Sequence, residues 1–181
     1  MAIAFVRVSF PHLRETEGAC ALLAYLGRTV VADERLSKAF AFRGATDADL
    51  VYERVYLPDG VPAELTNPSA FANRLDDREC QRVRKWSRQR QPQLGALFVI
   101  ALPPEDELSL TETIRLVEKV LAIIRQRLKL AIYVAIHDPA QLQAGDRNRH
   151  AHLLVPLREV TEHGFERRKI RIPFAQPRNS A

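Results

Sequence analysis

The strongest periodic signal is an apolar stripe at Leu110, Ile114, Val117, Leu121, Ile124 and Leu128. Its alternating spacing of four and three predicts an amphipathic helix, and Ser109 with Glu112 forms the capping box that would start it. The period then changes. Leu130, Ile132, Val134 and Ile136 alternate with Ala131, Tyr133, Ala135 and His137, a strand pattern that puts the first four on one face and the second four on the other. Gln93–Leu102 is a second apolar run, closed by Pro103-Pro104, and reads as a buried strand. Ala2–Ser9 alternates loosely and stops before Pro11, so a strand is expected there too.

Between these runs lie shorter signals. Gly18–Leu26 is rich in Ala and Leu and predicts a helix, with Gly27 placed to end it and Tyr25 near its C-terminal end. Ala39–Arg43 and Leu50–Leu57 read as strands separated by the turn Gly44-Ala45-Thr46-Asp47, and Pro58-Asp59-Gly60 closes the second. Asn67-Pro68-Ser69 starts a polar helix expected to reach about Arg88, and Phe165–Pro173 reads as a last, basic strand. No internal repeat, low-complexity tract or linker interrupts the pattern. The order predicts an α+β fold: a central, mostly antiparallel sheet of about five strands, with helices packed on one face. Residues 1–175 are expected to form one domain, and 176–181 a flexible tail.

Composition narrows the function classes. The chain has 181 residues, 46% of them hydrophobic, enough for a full core, and a net charge of +5. Arginine supplies 22 of the 27 basic side chains, and its planar fork suits phosphate oxygens. That bias favours a polyanionic partner, nucleic acid above all. Cys20 and Cys80 lack CxxC spacing and read as buried thiols in a reducing compartment. No signal peptide or membrane-length apolar run is visible, so a cytoplasmic protein is expected.

The candidate chemistry lies in Ala135-Ile136-His137-Asp138-Pro139 and His150-Ala151-His152. His150 and His152 share a face if they lie on a strand, and a turn through 141–148 could bring His137 beside them. Three neutral imidazoles at one point make a site for Mn²⁺, Mg²⁺, Zn²⁺ or a related divalent ion, and spacing does not choose among these. The competing interpretation is that they are ordinary polar strand residues. Asp138 is a candidate acceptor for a ligand imidazole, although on a regular strand it points away from His137. A metal beside an arginine-rich surface suggests phosphodiester chemistry. Tyr25 is then either a core aromatic or a nucleophile, while Tyr52, Tyr56 and Tyr133 sit in strand-like runs as packing residues.

Taken in order, several motifs resemble the relaxase domain of the MobA/MobL family, in its Ti-plasmid TraA-like conjugal transfer branch. They are Ala19-Cys20-Ala21-Leu22-Leu23-Ala24-Tyr25, Asp33-Glu34-Arg35, Tyr52-Glu53-Arg54-Val55-Tyr56-Leu57-Pro58, Gln93-Leu94 with Val99-Ile100-Ala101-Leu102-Pro103, His137, and Asn148-Arg149-His150-Ala151-His152. The resemblance implies an HUH-type endonuclease, with His137, His150 and His152 presented by an antiparallel sheet to a divalent cation, Mn²⁺ or Mg²⁺. Tyr25 would attack single-stranded DNA at an origin of transfer, giving a 5′-phosphotyrosine link and a free 3′-hydroxyl. Arg28, Arg74, Arg78, Arg82, Arg88, Arg147, Arg149 and Arg168 are candidate DNA contacts. Accessory relaxosome or coupling proteins would be partners.

Departures from the family pattern keep other functions open. The acid expected shortly after Gln-Leu is replaced by Leu97, and His12–Glu17 replaces a serine- and arginine-rich stretch. The segment between His137 and His150 is longer than expected, and the chain stops where many relatives continue. The alternatives are a weakened, relaxase-like single-stranded DNA-binding protein, a replication initiator or transposase of the same chemical class, and a metal-dependent hydrolase that uses water.

Overall fold

The computed structural model describes residues 6–42, 49–81, 83, 86–87, 91–139 and 149–170. The turn expected at 44–47, the tail, and the candidate contacts Arg82, Arg88 and Arg147 lie outside the described residues, as does the side chain of Ile124.

Five strands form the central sheet: β1 (Val6–Ser9), β4 (Leu50–Tyr56), β5 (Gly95–Ala101), β6 (Ile132–His137) and β7 (His150–Pro156). Their order is β1-β5-β7-β6-β4, and every neighbouring pair is antiparallel. The expected α+β fold and antiparallel sheet are thus present. The helices, however, cover both faces of the sheet. On one side α3 (Leu110–Leu128) places Val117 and Leu121 against Ile132, Val134 and Ile136. On the other, α1 (Ala19–Leu26) and α2 (Pro68–Cys80) bring Leu23, Ala24, Phe71 and Leu75 into one cluster with Tyr133, Ala135 and Leu154. The reason is legible in β6, whose six residues are all buried: a strand apolar on both faces needs a layer on each.

Two hairpins stand outside this sheet. β3 (Lys38–Ala41) does not join β4; it pairs with β2 (Val30–Asp33). β8 (Arg158–Thr161) pairs with β9 (Gly164–Lys169), the latter overlapping the strand expected at 165–173. Arg158 anchors this second hairpin: its buried guanidinium donates to both oxygens of buried Glu79 on α2, at 2.6 and 3.1 Å. The polar helix expected to reach Arg88 ends at Cys80, capped at its start by the Asn67 side-chain Oδ1, which accepts from the Ser69 and Ala70 amides.

α1 takes its cap from another element. Gly18 precedes it without a capping side chain. Instead Asp76 of α2 accepts from the amides of Ala19 (2.7 Å) and Cys20 (3.1 Å). A Cβ at Gly18 would lie 2.4 Å from an Asp76 carboxylate oxygen, so glycine is what permits this approach. The helix that carries Tyr25 is thereby fixed to α2. Among the described residues, no helix is long and apolar enough to cross a membrane.

Candidate functional site

Strand register builds the histidine cluster. His137 at the end of β6 is the direct partner of His150 on β7, and His152 lies opposite Ala135. Directly opposed residues share a face, so all three imidazoles lie on the α1 side of the sheet. Their ring centroids are 5.4 Å (His137–His150), 5.2 Å (His137–His152) and 4.9 Å (His150–His152) apart. His137 is fully buried, and the other two are half-buried.

The electrostatics disfavour charge on His137 and His152. Burial is the largest influence on His137 and lowers its pKa below the ordinary imidazole value; the charges of Arg28 and His150 add to this, against the hydrogen bond to Asp49. His152 is pushed down to about 3, by burial first and then by His150 and His137. Neutral imidazoles have a lone pair to give. Nε2 of His137 and Nδ1 of His152 are buried with no hydrogen-bond partner, a state that costs free energy unless a ligand or ion engages them. The donor set therefore fits a divalent cation.

Asp49, just before β4, is the carboxylate that meets this cluster. Its Oδ1 lies 3.1 Å from Nδ1 of His137. Burial works against charge on Asp49, but the hydrogen bonds from Arg28 and His137 prevail and hold its pKa below the usual value. An ionised carboxylate only accepts, so Nδ1 of His137 carries the proton and Nε2 is left for a ligand. Nothing local in the sequence marks Asp49. Only the β4–β6 pairing, with Leu50 opposite His137, brings it there. Asp138, the other candidate carboxylate, accepts from Nε and Nη2 of Arg149 at 2.9 and 2.7 Å. Leu97 lies on β5 opposite Leu154 and packs against the core.

Tyr25 ends the exposed side of α1 with 54% of its surface accessible, and its ring meets that of Phe42 edge-on at 5.6 Å. A cavity of about 260 Å³ beside it is lined by His12, Arg14, Ala21, Leu22 and Leu94 among others. The remaining tyrosines are engaged elsewhere: the Tyr133 hydroxyl donates to Glu53 at 2.7 Å, and Tyr56 donates to Glu118 at 2.9 Å while lying 2.6 Å from the Tyr52 hydroxyl.

The candidate DNA-contacting arginines separate into two groups. Arg149 is internal: its side chain is 1% exposed and bound to Asp138, Glu105 and the Leu108 carbonyl. Arg28 is likewise enclosed, at 10% exposure, and bound to Asp49. Arg149 corrects the expectation of a DNA-facing side chain, because its donors are taken up by Asp138, Glu105 and the Leu108 carbonyl, whereas Arg28 spends Nε and Nη2 on Asp49 and Nη1 on the Tyr25 carbonyl. Arg74 and Arg168 are exposed, Arg74 lying 3.7 Å from Glu64, and half-buried Arg78 donates to Gln81.

A second donor group, Cys20, Asp33 and Asp76, has ligand atoms within 4.8 Å of one another and is wholly buried. Here the Asp76 carboxylate is already engaged in capping α1, and burial, followed by the Asp76 and Asp33 charges, raises the Cys20 pKa well above the ordinary thiol range. Both cysteines are free thiols.

Fold and site define an α+β protein whose sheet presents three facing imidazoles beneath a tyrosine-bearing helix. The chain belongs to the MobA/MobL family, whose sequence model matches residues 17–179. It is similar to the "Probable mobilization protein MobA" of Bifidobacterium longum (strain NCC 2705), 27% identical over 197 aligned residues. That match takes in 100% of this chain and 32% of the relative, so the chain spans about a third of the relative's length. Among solved structures, a chain from the study "Molecular Basis of Vancomycin Resistance Transfer in Staphylococcus aureus" superposes with a TM-score of 0.70 at 19% identity, over 91% of this chain and 76% of that one. That likeness is one of fold.

Proposed function

We propose that this chain is a relaxase of plasmid mobilisation, which nicks single-stranded DNA at an origin of transfer and carries the strand on Tyr25. The observation that carries the proposal is the convergence of three imidazoles on the sheet face covered by the Tyr25 helix, two of them with buried nitrogens that lack partners. His137, His150 and His152 would hold a divalent cation, Mn²⁺ or Mg²⁺, which when bound supplies charge stabilisation at the phosphate. The Tyr25 phenolic oxygen attacks phosphorus, the bond to the 3′-oxygen breaks, and that oxygen leaves protonated as a 3′-hydroxyl. The phosphotyrosine ester retains the reactivity of the broken bond, so attack by a 3′-hydroxyl reverses the step.

The exposed Tyr25 ring and the cavity beside it support a single-stranded substrate, since a duplex would keep its bases and backbone from entering such a recess. Mobilisation of plasmid DNA would set the work in the cytoplasm, with accessory relaxosome or coupling proteins as partners. Asp49 supports this reading despite Leu97, because it brings a carboxylate to His137 from the residue just before β4.

The test uses the protein and its Tyr25→Phe variant with end-labelled single-stranded DNA carrying candidate origin sequences, with Mn²⁺, Mg²⁺ or EDTA. A covalent protein–DNA adduct is expected only with Tyr25 and a cation. Cleavage that persists in Tyr25→Phe would favour hydrolysis by water, and cation-independent binding without cleavage would favour a DNA-binding protein.

A further inference from the structure

We infer that Arg28 is a positioning residue: it ties the Tyr25 helix to His137 through Asp49, so that nucleophile and histidine cluster are held as one rigid unit. The inference rests on the relaxase reading and extends it to a residue that sequence reasoning assigned to DNA.

Arg28 lies just beyond the C-terminal end of α1 and spends its donors in both directions. Nη1 donates to the Tyr25 carbonyl oxygen at 2.8 Å. Nε and Nη2 donate to the two Asp49 oxygens at 3.0 and 3.1 Å, the paired geometry that only a guanidinium makes. Asp49 Oδ1 in turn meets His137 Nδ1. The same guanidinium lies 5.1 Å from the Tyr25 ring centroid and 4.3 Å from that of Phe42, within the range of cation–π attraction. One planar group thus touches the ring of the nucleophile, the backbone of its helix and the carboxylate that fixes the tautomer of a candidate ligand.

The backbone adds an independent sign. Arg28 has φ of +50°, a left-handed conformation that side-chain-bearing residues adopt at a cost and keep only where their surroundings impose it. Glycine fits that conformation freely, but it would lack the strut. Asp49 is itself secured from the histidine side, since its carbonyl oxygen accepts from the Asp138 amide at 2.7 Å, next to His137.

Arg28→Lys keeps the charge and loses the fork, so it separates positioning from charge. Three readings would be taken on the full chain: affinity for single-stranded DNA by anisotropy, adduct formation at saturating DNA with Mn²⁺, and ¹⁵N NMR of His137 in the metal-free protein. Arg28→Lys is expected to leave DNA affinity within twofold and to slow adduct formation at least tenfold. It should also shift His137 from a single Nδ1–H tautomer to a mixture. Asp49→Asn should do the same, and the double variant should be no slower than the worse single one. Parallel losses of DNA affinity and rate would make Arg28 a phosphate contact and overturn the inference. So would an unchanged rate and tautomer in Arg28→Lys, or additive losses in the double variant. If the wild-type chain forms no Tyr25 adduct, the relaxase reading itself falls. A wild-type adduct with an unaffected Arg28→Lys variant removes only the strut.

Discussion

His152 carries a pH dependence whose sign is fixed by its surroundings. Its folded-state pKa is pushed down to about 3, by burial first, from an ordinary 6.5. As pH falls below the ordinary value, the unfolded chain takes up a proton that the folded chain refuses. Stability is therefore full above about pH 6.5 and is lost as pH falls from there toward 3. In EDTA, the melting temperature should drop across that window and drop less in His152→Gln. An identical acid profile in the variant would locate the sensitivity elsewhere. Arg149 makes a different prediction. Its guanidinium is enclosed with Asp138, and removing one partner of a buried pair typically costs about 3–5 kcal/mol. Urea unfolding of Arg149→Met should show a loss of that order. Affinity for DNA, measured where the variant is still folded, should barely change.

At the scale of elements, the Tyr25 helix depends on a carboxylate from α2. Asp76→Ala should destabilise the protein by about 1–2 kcal/mol, the usual value of an N-terminal cap, and increase amide hydrogen exchange in the first turn of α1. Gly18→Ala should produce the same exchange pattern by displacing Asp76. Equal exchange in wild type and variants would show that α1 does not need this cap. The sequence signals that proved reliable were local ones: the α3 stripe with its Ser109–Glu112 box, the alternation of β6, and the Gly18–Leu26 helix. What escaped them was set by distant partners. β2 and β8 are four-residue strands in separate hairpins, too short for alternation to register. Arg149 looked like a surface charge because Asp138, Glu105 and the Leu108 carbonyl, which enclose it, come from other segments. The spacing of His150 and His152 set their shared face, whereas Asp49, and the pairing of Arg28 with it, came into view only once β4 had paired with β6.

For the whole molecule, the basic excess should appear in the salt dependence of DNA binding. Each phosphate contact on a single strand contributes about 0.7 to the slope of log affinity against log salt. Arg74→Gln and Arg168→Gln, both at exposed positions, should each lower that slope by about 0.7 if DNA crosses α2 and the β8–β9 hairpin. An unchanged slope would place the DNA path on other arginines.

The pairing of His137 with His150 has an evolutionary consequence. Strand faces alternate with every residue, so a single insertion within β7 between its first residues and Leu154 would turn both histidines toward α3 and end the chemistry in one step. Residues added to or deleted from the 140–148 connection leave that parity untouched. A change in the length between the two histidine motifs can therefore leave both imidazoles on their face, whereas a one-residue change inside the strand cannot.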